Sequence, residues 1–74
     1  MEFKIMDKDG AYPCVVTVDP ENGRYMIRNA DTSGESFSDG ASLLAWVKEN
    51  WQSSQFEFSD DYTKLLQNIE AEIN

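Results

Sequence analysis

No histidine occurs among these 74 residues, so the commonest general base and metal ligand is missing. The single cysteine, Cys14, rules out an intramolecular disulfide, and without a histidine it lacks the usual partner of a thiol nucleophile. Within "YPCVVTV" it alternates with Val16 and Val18, the pattern of a small buried hydrophobe. The glycines at 10, 23, 34 and 40 are scattered too widely to build a phosphate loop or a dinucleotide fingerprint. Asp7 and Asp9 before Gly10 look like a fragment of a calcium loop. The twelfth position counted from Asp7 is Val18, however, where a bidentate glutamate is needed, so a turn is expected there. The longest apolar run, Leu43 to Val47, is far too short for a membrane span, and "MEFKIMDKDG" has neither the basic start nor the apolar core of a signal peptide. A cytoplasmic protein without enzymatic activity, cofactor or metal is expected.

Bases are also scarce. Fourteen acidic residues against six basic ones give a formal charge of −8. Residues 1–30 hold five acids and four bases, whereas residues 31–74 hold nine acids with only Lys48 and Lys64 to offset them. Such a chain repels nucleic-acid phosphates and membrane surfaces, and it meets a basic partner quickly and in a salt-sensitive way. Acidic surface also aids solubility in its own right. Core material is nevertheless present: 41% of residues are apolar, with four Phe, three Tyr and two Trp. One small domain covering residues 1–74 is expected, held by its core alone.

Hydrophobic spacing changes once along the chain. Phe3 and Ile5 alternate with polar neighbours, "DKDGAYP" turns the chain, and Cys14, Val16 and Val18 alternate again. "DPENG" combines proline with Asn-Gly as a second turn, after which Tyr25 and Ile27 alternate with Arg24, Met26 and Arg28. The polar stretch "NADTSGESFSDG", Asn29 to Gly40, reads as a loop. Helical spacing then takes over at Leu43, Leu44, Val47 and Trp51, with Ser38 or Asp39 as cap. "QFEF" suits a short strand or extended connector with Phe56 and Phe58 on one side and Glu57 on the other. A second helix follows through Tyr62, Leu65, Leu66, Ile69 and Ile73, with Ser59 as cap and Asp60 and Asp61 in its first turn. The predicted fold is α+β: a three-stranded antiparallel sheet in the order β-β-β-α-α, with a possible extra strand between the helices and both helices on one face.

Two acidic segments lie outside the apolar stripes, "DPENG" and "QFEFSDDY", and Trp46 sits beside the tightest helical stripe. Aromatics at 56, 58 and 62 suit the core of so small a domain. Carboxylates on a rigid helix start and a neighbouring hairpin can also occupy the positions of a DNA backbone, so that a protein gripping DNA with Arg and Lys grips them instead.

From Cys14 to Ile69 the order of features resembles the small acidic anti-CRISPR proteins that inhibit type II RNA-guided nucleases. The resemblance runs through "VVTV", the turn "DPENG", "RYMI", "LLAWVKENW" and "DDYTKLLQNI". It is closest in the spacing of Leu43, Leu44, Val47, Lys48, Trp51, Phe56, Tyr62, Leu66 and Ile69. The chain departs from the family in opening on "EFKIMD" rather than a helix, and in carrying Arg24 where an acid follows the family's turn. The resemblance implies a DNA-mimicking inhibitor of a basic DNA-binding protein, a CRISPR effector nuclease. Glu57, Asp60 and Asp61 would occupy the cleft that reads the short DNA motif, and Asp19, Glu21 and Asn22 would reach toward a nuclease active site. The alternative is an acidic accessory or self-associating domain.

Overall fold

The computed structural model describes residues 1–10 and 12–73; Ala11, inside the expected turn "DKDGAYP", and Asn74 lie outside the described residues. Four strands follow one another, β1 (Glu2–Ile5), β2 (Cys14–Asp19), β3 (Arg24–Arg28) and β4 (Gly34–Phe37). They form one sheet in the order β1-β2-β3-β4, with every neighbouring pair antiparallel. Period-two patterning decides the faces. Cys14, Val16 and Val18 are buried, and register places Phe3, Val16 and Ile27 side by side across the strands. Val15 and Thr17 therefore point to the opposite face.

The sheet has four strands where three were expected. β4 lies in the stretch that reads as a loop, and it pairs with β3 from Tyr25↔Phe37 to Arg28↔Gly34. Its sequence "GESF" offers one inward apolar side chain, Phe37, too little for an alternating signal. The backbone ladder and a side-chain-built turn hold it instead. The Asn29 N–H donates to the Ser33 carbonyl at 2.7 Å, the Thr32 N–H to the Asn29 carbonyl at 2.9 Å, and the Ser33 N–H to the Asp31 carboxylate at 2.9 Å. Thr32 sits at φ 71, an uncommon left-handed position for a β-branched residue.

Helix α1 (Gly40–Asn50) lies over β3 and β4, and helix α2 (Ser59–Ile73) lies over β1 and β2. Asp39 caps α1, its carboxylate accepting from the Ser42 N–H at 2.7 Å. Leu43 and Val47 of α1, Trp51 just beyond it, and Leu65 and Ile69 of α2 join Ile5, Cys14, Val16, Val18 and Ile27 in one buried core. Close approach of the helices depends on Gly40, where an added Cβ would overlap Cγ2 of Ile73.

Between the helices no strand forms. Ser53–Gln55 is a short 3-10 turn, and Phe56 makes an isolated antiparallel bridge to Asp7. The Lys8 N–H donates to the Gln55 carbonyl at 3.0 Å and the Glu57 N–H to the Met6 carbonyl at 2.9 Å, which ties the connector to the end of β1. Phe56 is buried, but Phe58 is 62% exposed. The expectation that both point the same way fails because the chain turns into α2 directly after Phe58, with the Asp61 N–H donating to the Phe58 carbonyl at 3.0 Å. Ser59 accordingly stands inside the helix as its first residue. Rings pack in sequence from β4 to α2: Phe37 on Trp46, Trp46 on Trp51, Trp51 on Phe56 and Phe56 on Tyr62, with centroids 5.5 to 6.2 Å apart. Trp46 thus belongs to the half-buried rim of the core.

Candidate functional site

The first acidic segment closes the β2–β3 hairpin. Gly23 takes φ 65, as the Asn-Gly turn demands, and its N–H donates to the Pro20 carbonyl at 3.4 Å. Asp19 ends β2 opposite Arg24, and its carboxylate accepts from the Asn22 side-chain amide at 2.8 Å and from the Asn22 N–H at 3.4 Å. Those bonds, the side-chain one foremost, hold the Asp19 carboxyl below its ordinary pKa. Asn22 is therefore the brace of the turn as well as a surface group. Glu21 beside it is fully outward and exposed.

The second segment begins at the connector. Glu57 is exposed on the residue whose N–H is anchored to Met6, while Asp60 and Asp61 occupy the first turn of α2, Asp60 exposed and Asp61 half-buried. Negative charge there favours the helix dipole. Among the described residues no side-chain hydrogen bond uses the carboxylates of Glu57, Asp60 or Asp61. Lys64, one turn further along α2, forms no ion pair with them; the ion pair present among the described residues is Lys48–Glu70 at 3.8 Å, between two half-exposed side chains. Three carboxylates thus stand without an internal partner on a backbone fixed by the helix and by the bridge to β1.

The structure brings Glu57, Asp60 and Asp61 together and separates them from Asp19, Glu21 and Asn22. Glu57 lies at the Met6 end of β1, whereas Asp19 lies past Val18, whose N–H bonds to Met1 at the other end. β2 alone, six residues long, separates the two ends by about 17 Å. α2 spans the same distance, since its last residue Ile73 reaches Gly40 beside Tyr25, the cross-strand neighbour of Val18.

Phe58 is the surface residue that the sequence concealed. It stands between Glu57 and Asp60, exposed, in a segment whose other phenylalanine is buried. An exposed phenylalanine is apolar area that the rest of the fold leaves uncovered. Only the boundary of α2, displaced from the strand alternation, could have signalled it.

A hollow of about 460 Å³ opens between the β1–β2 and β3–β4 loops, lined in part by Asp7, Asp9, Asp31, Cys14 and Gln55. Its groups have internal roles. Asp7 accepts from the Asp9 N–H and the Gln55 amide, and Asp31 from Ser33, whose hydroxyl and N–H lower its pKa. Burial pushes the Cys14 thiol up, away from the reactive thiolate. No three His, Cys, Asp or Glu among the described residues are grouped to hold a metal ion. Among the described residues no helix is long and apolar enough to cross a membrane.

No protein-family model matches the chain, and neither the curated proteins nor the solved structures contain a significant match to it.

Proposed function

We propose that this protein binds and inhibits a protein that grips DNA through arginine and lysine, a CRISPR effector nuclease being the partner class that the resemblance to small acidic anti-CRISPR proteins implies. Glu57, Asp60 and Asp61 stand in for phosphates. The observation that carries the reading is three carboxylates with no internal partner among the described residues, on a braced helix start, in the same five-residue segment as the exposed Phe58. Carboxylates held this way accept charge-assisted bonds from guanidinium and ammonium groups without first breaking bonds of their own. Phe58 adds desolvated apolar contact, which charge alone does not supply. The hairpin tip with Asp19, Glu21 and Asn22 contributes a second contact, at the opposite end of the sheet, to another part of the same partner.

The test is an affinity capture with the intact protein from cells carrying CRISPR or restriction systems, followed by displacement of DNA from whatever is captured. Capture of a DNA-gripping nuclease that releases its DNA as the protein is added supports the proposal. Capture of a metabolic enzyme, or of this chain alone, contradicts it and favours the accessory or self-associating domain.

A further inference from the structure

Both helices cover one side of the sheet and leave the other bare. Register lays out that bare face in rows. Lys4, Val15, Arg28 and Gly34 stand side by side; Glu2, Thr17, Met26 and Ser36 form the next row; Asp19 and Arg24 complete a third. Its centre is Val15, Thr17 and Met26, with Met26 42% exposed although methionine is a favoured interface residue. An open hollow of about 520 Å³ lies over Val15, Thr17, Met26 and Arg28.

Charge on this face differs from charge elsewhere. By register three of the six bases and two of the fourteen acids stand on it, and Glu35 of β4 also lines its hollow, so the face is close to neutral while the remainder of the chain carries −8. The helix layer lies roughly 10 Å behind it, about one Debye length at 0.1 M salt, so the acids of the helices are largely screened from anything docked there. On this surface two copies can meet without strong mutual repulsion.

We infer that the bare face pairs with the same face of a second copy, sheet on sheet, about a two-fold axis running along the strands between β2 and β3. That axis sets β2 over β3 of the other copy. Asp19 then meets Arg24, Thr17 meets Met26, and Val15 takes the aliphatic stem of Arg28. β1 lies over β4, so Lys4 meets Gly34 and Glu2 meets Ser36. No like charges are opposed, and each apolar centre is covered. An external acidic partner would face Glu2 and Asp19 as well as the cations. Edge-to-edge pairing is disfavoured because β1 and β4 have four residues each and carry polar or charged side chains. The face measures about 19 Å across and about 13–20 Å along its strands, a footprint on the order of 300 Å² per copy against the ~800 Å² of a standard interface. The pair is accordingly weak.

The start of α2 stays free in this pair, because it belongs to the helix layer on the other side; Asp19 is shared with the hairpin-tip contact, so a second copy and a partner at the tip compete for that residue alone. Sedimentation equilibrium of the full chain from about 20 µM to 1 mM, with amide chemical shifts recorded over the same dilution, tests it. The expected result is a mass rising from one chain toward two, with concentration-dependent shifts at Lys4, Val15, Thr17, Met26, Arg28 and Ser36. Met26→Glu and Arg24→Glu are each expected to weaken association at least tenfold while the monomer keeps its melting temperature to within a few degrees, since both side chains are exposed in the monomer. A single-chain mass at about 1 mM, a mass growing past two chains, or dilution shifts confined to the start of α2 would each overturn it.

Discussion

Two groups of carboxylates on this small domain carry the same charge and are used differently. Asp19, Asp31 and Asp39 each accept hydrogen bonds from a turn or helix start, and each is held below its ordinary pKa by the group it braces. Glu57, Asp60 and Asp61 flank Phe58 in sequence and accept no side-chain hydrogen bond among the described residues, bracing nothing beyond the favourable end of a helix dipole. Acidity alone therefore does not mark a binding surface; the informative feature is a carboxylate whose position is fixed and whose bonding capacity is unspent. On that criterion the start of α2 is a better candidate for the proposed contact than the hairpin tip, where Asn22 already occupies Asp19.

The largest expected effect on the fold comes from moving the scaffold beneath the free group. Gly40→Ala drives a methyl group into Ile73, at the far end of the helix that carries Asp60 and Asp61. Overpacking of this kind costs about 1–3 kcal/mol. A melting curve should fall by about 4–8 °C for each kcal/mol, with partner binding weakened alongside.

Phe58→Ala should separate the two properties instead. Its ring is 62% exposed, so stability should change by less than about 0.5 kcal/mol. Binding to the captured partner should weaken on the order of 30-fold, read by titration calorimetry.

Tyr62→Phe removes the hydroxyl that donates to the Trp51 carbonyl at 3.2 Å, at a cost of about 1 kcal/mol in chemical denaturation. Burial raises the Tyr62 pKa, so folding favours the neutral phenol. That contribution is complete below the unfolded phenol's pKa of about 10 and is lost as pH rises through the folded value, and the Phe variant should lack this alkaline loss.

The smallest effect is expected at Asp39. Asp39→Ala should lower the melting temperature at neutral pH and leave partner binding intact. The folded pKa of Asp39 lies below its unfolded value because the Ser42 N–H holds the charged form. Its contribution is therefore present above the ordinary carboxylate range and lost as pH falls through the folded pKa, so the deficit of the variant should shrink in acid.

Much of this architecture was legible because individual residues had no competing explanation. Cys14, Val16 and Val18 could alternate only as a half-buried strand, "DPENG" could only turn, and Leu43, Val47, Leu65 and Ile69 repeat at helical spacing with a buried outcome. β4 was hidden because "GESF" has one apolar side chain and its turn is made by Asp31, Asn29 and a left-handed Thr32 rather than by glycine. Phe58 was misplaced for a related reason: alternation with Phe56 holds only while the backbone stays extended, and α2 begins one residue later. The two acidic segments were each identifiable, but their placement at opposite ends of the sheet follows from strand pairing and helix direction, which no local pattern encodes.

The central claim is that the free carboxylates at the start of α2 act on a partner and not on the fold. One chain carrying both Asp60→Asn and Asp61→Asn, assayed for displacement of DNA from the captured partner across a salt series with a melting curve on the same sample, tests it most directly. Asparagine keeps the side-chain size and loses part of a helix-dipole benefit of about 0.3–1 kcal/mol per site, whereas removing one member of a buried charged pair costs about 2–5 kcal/mol of binding. The account predicts a variant that stays folded and fails to displace DNA, beside a parent whose displacement weakens steeply as salt screens charge beyond about 10 Å near 0.1 M. A variant that melts far below the parent while its folded fraction displaces DNA normally would contradict the claim and leave Asp60 and Asp61 as helix-start charges alone.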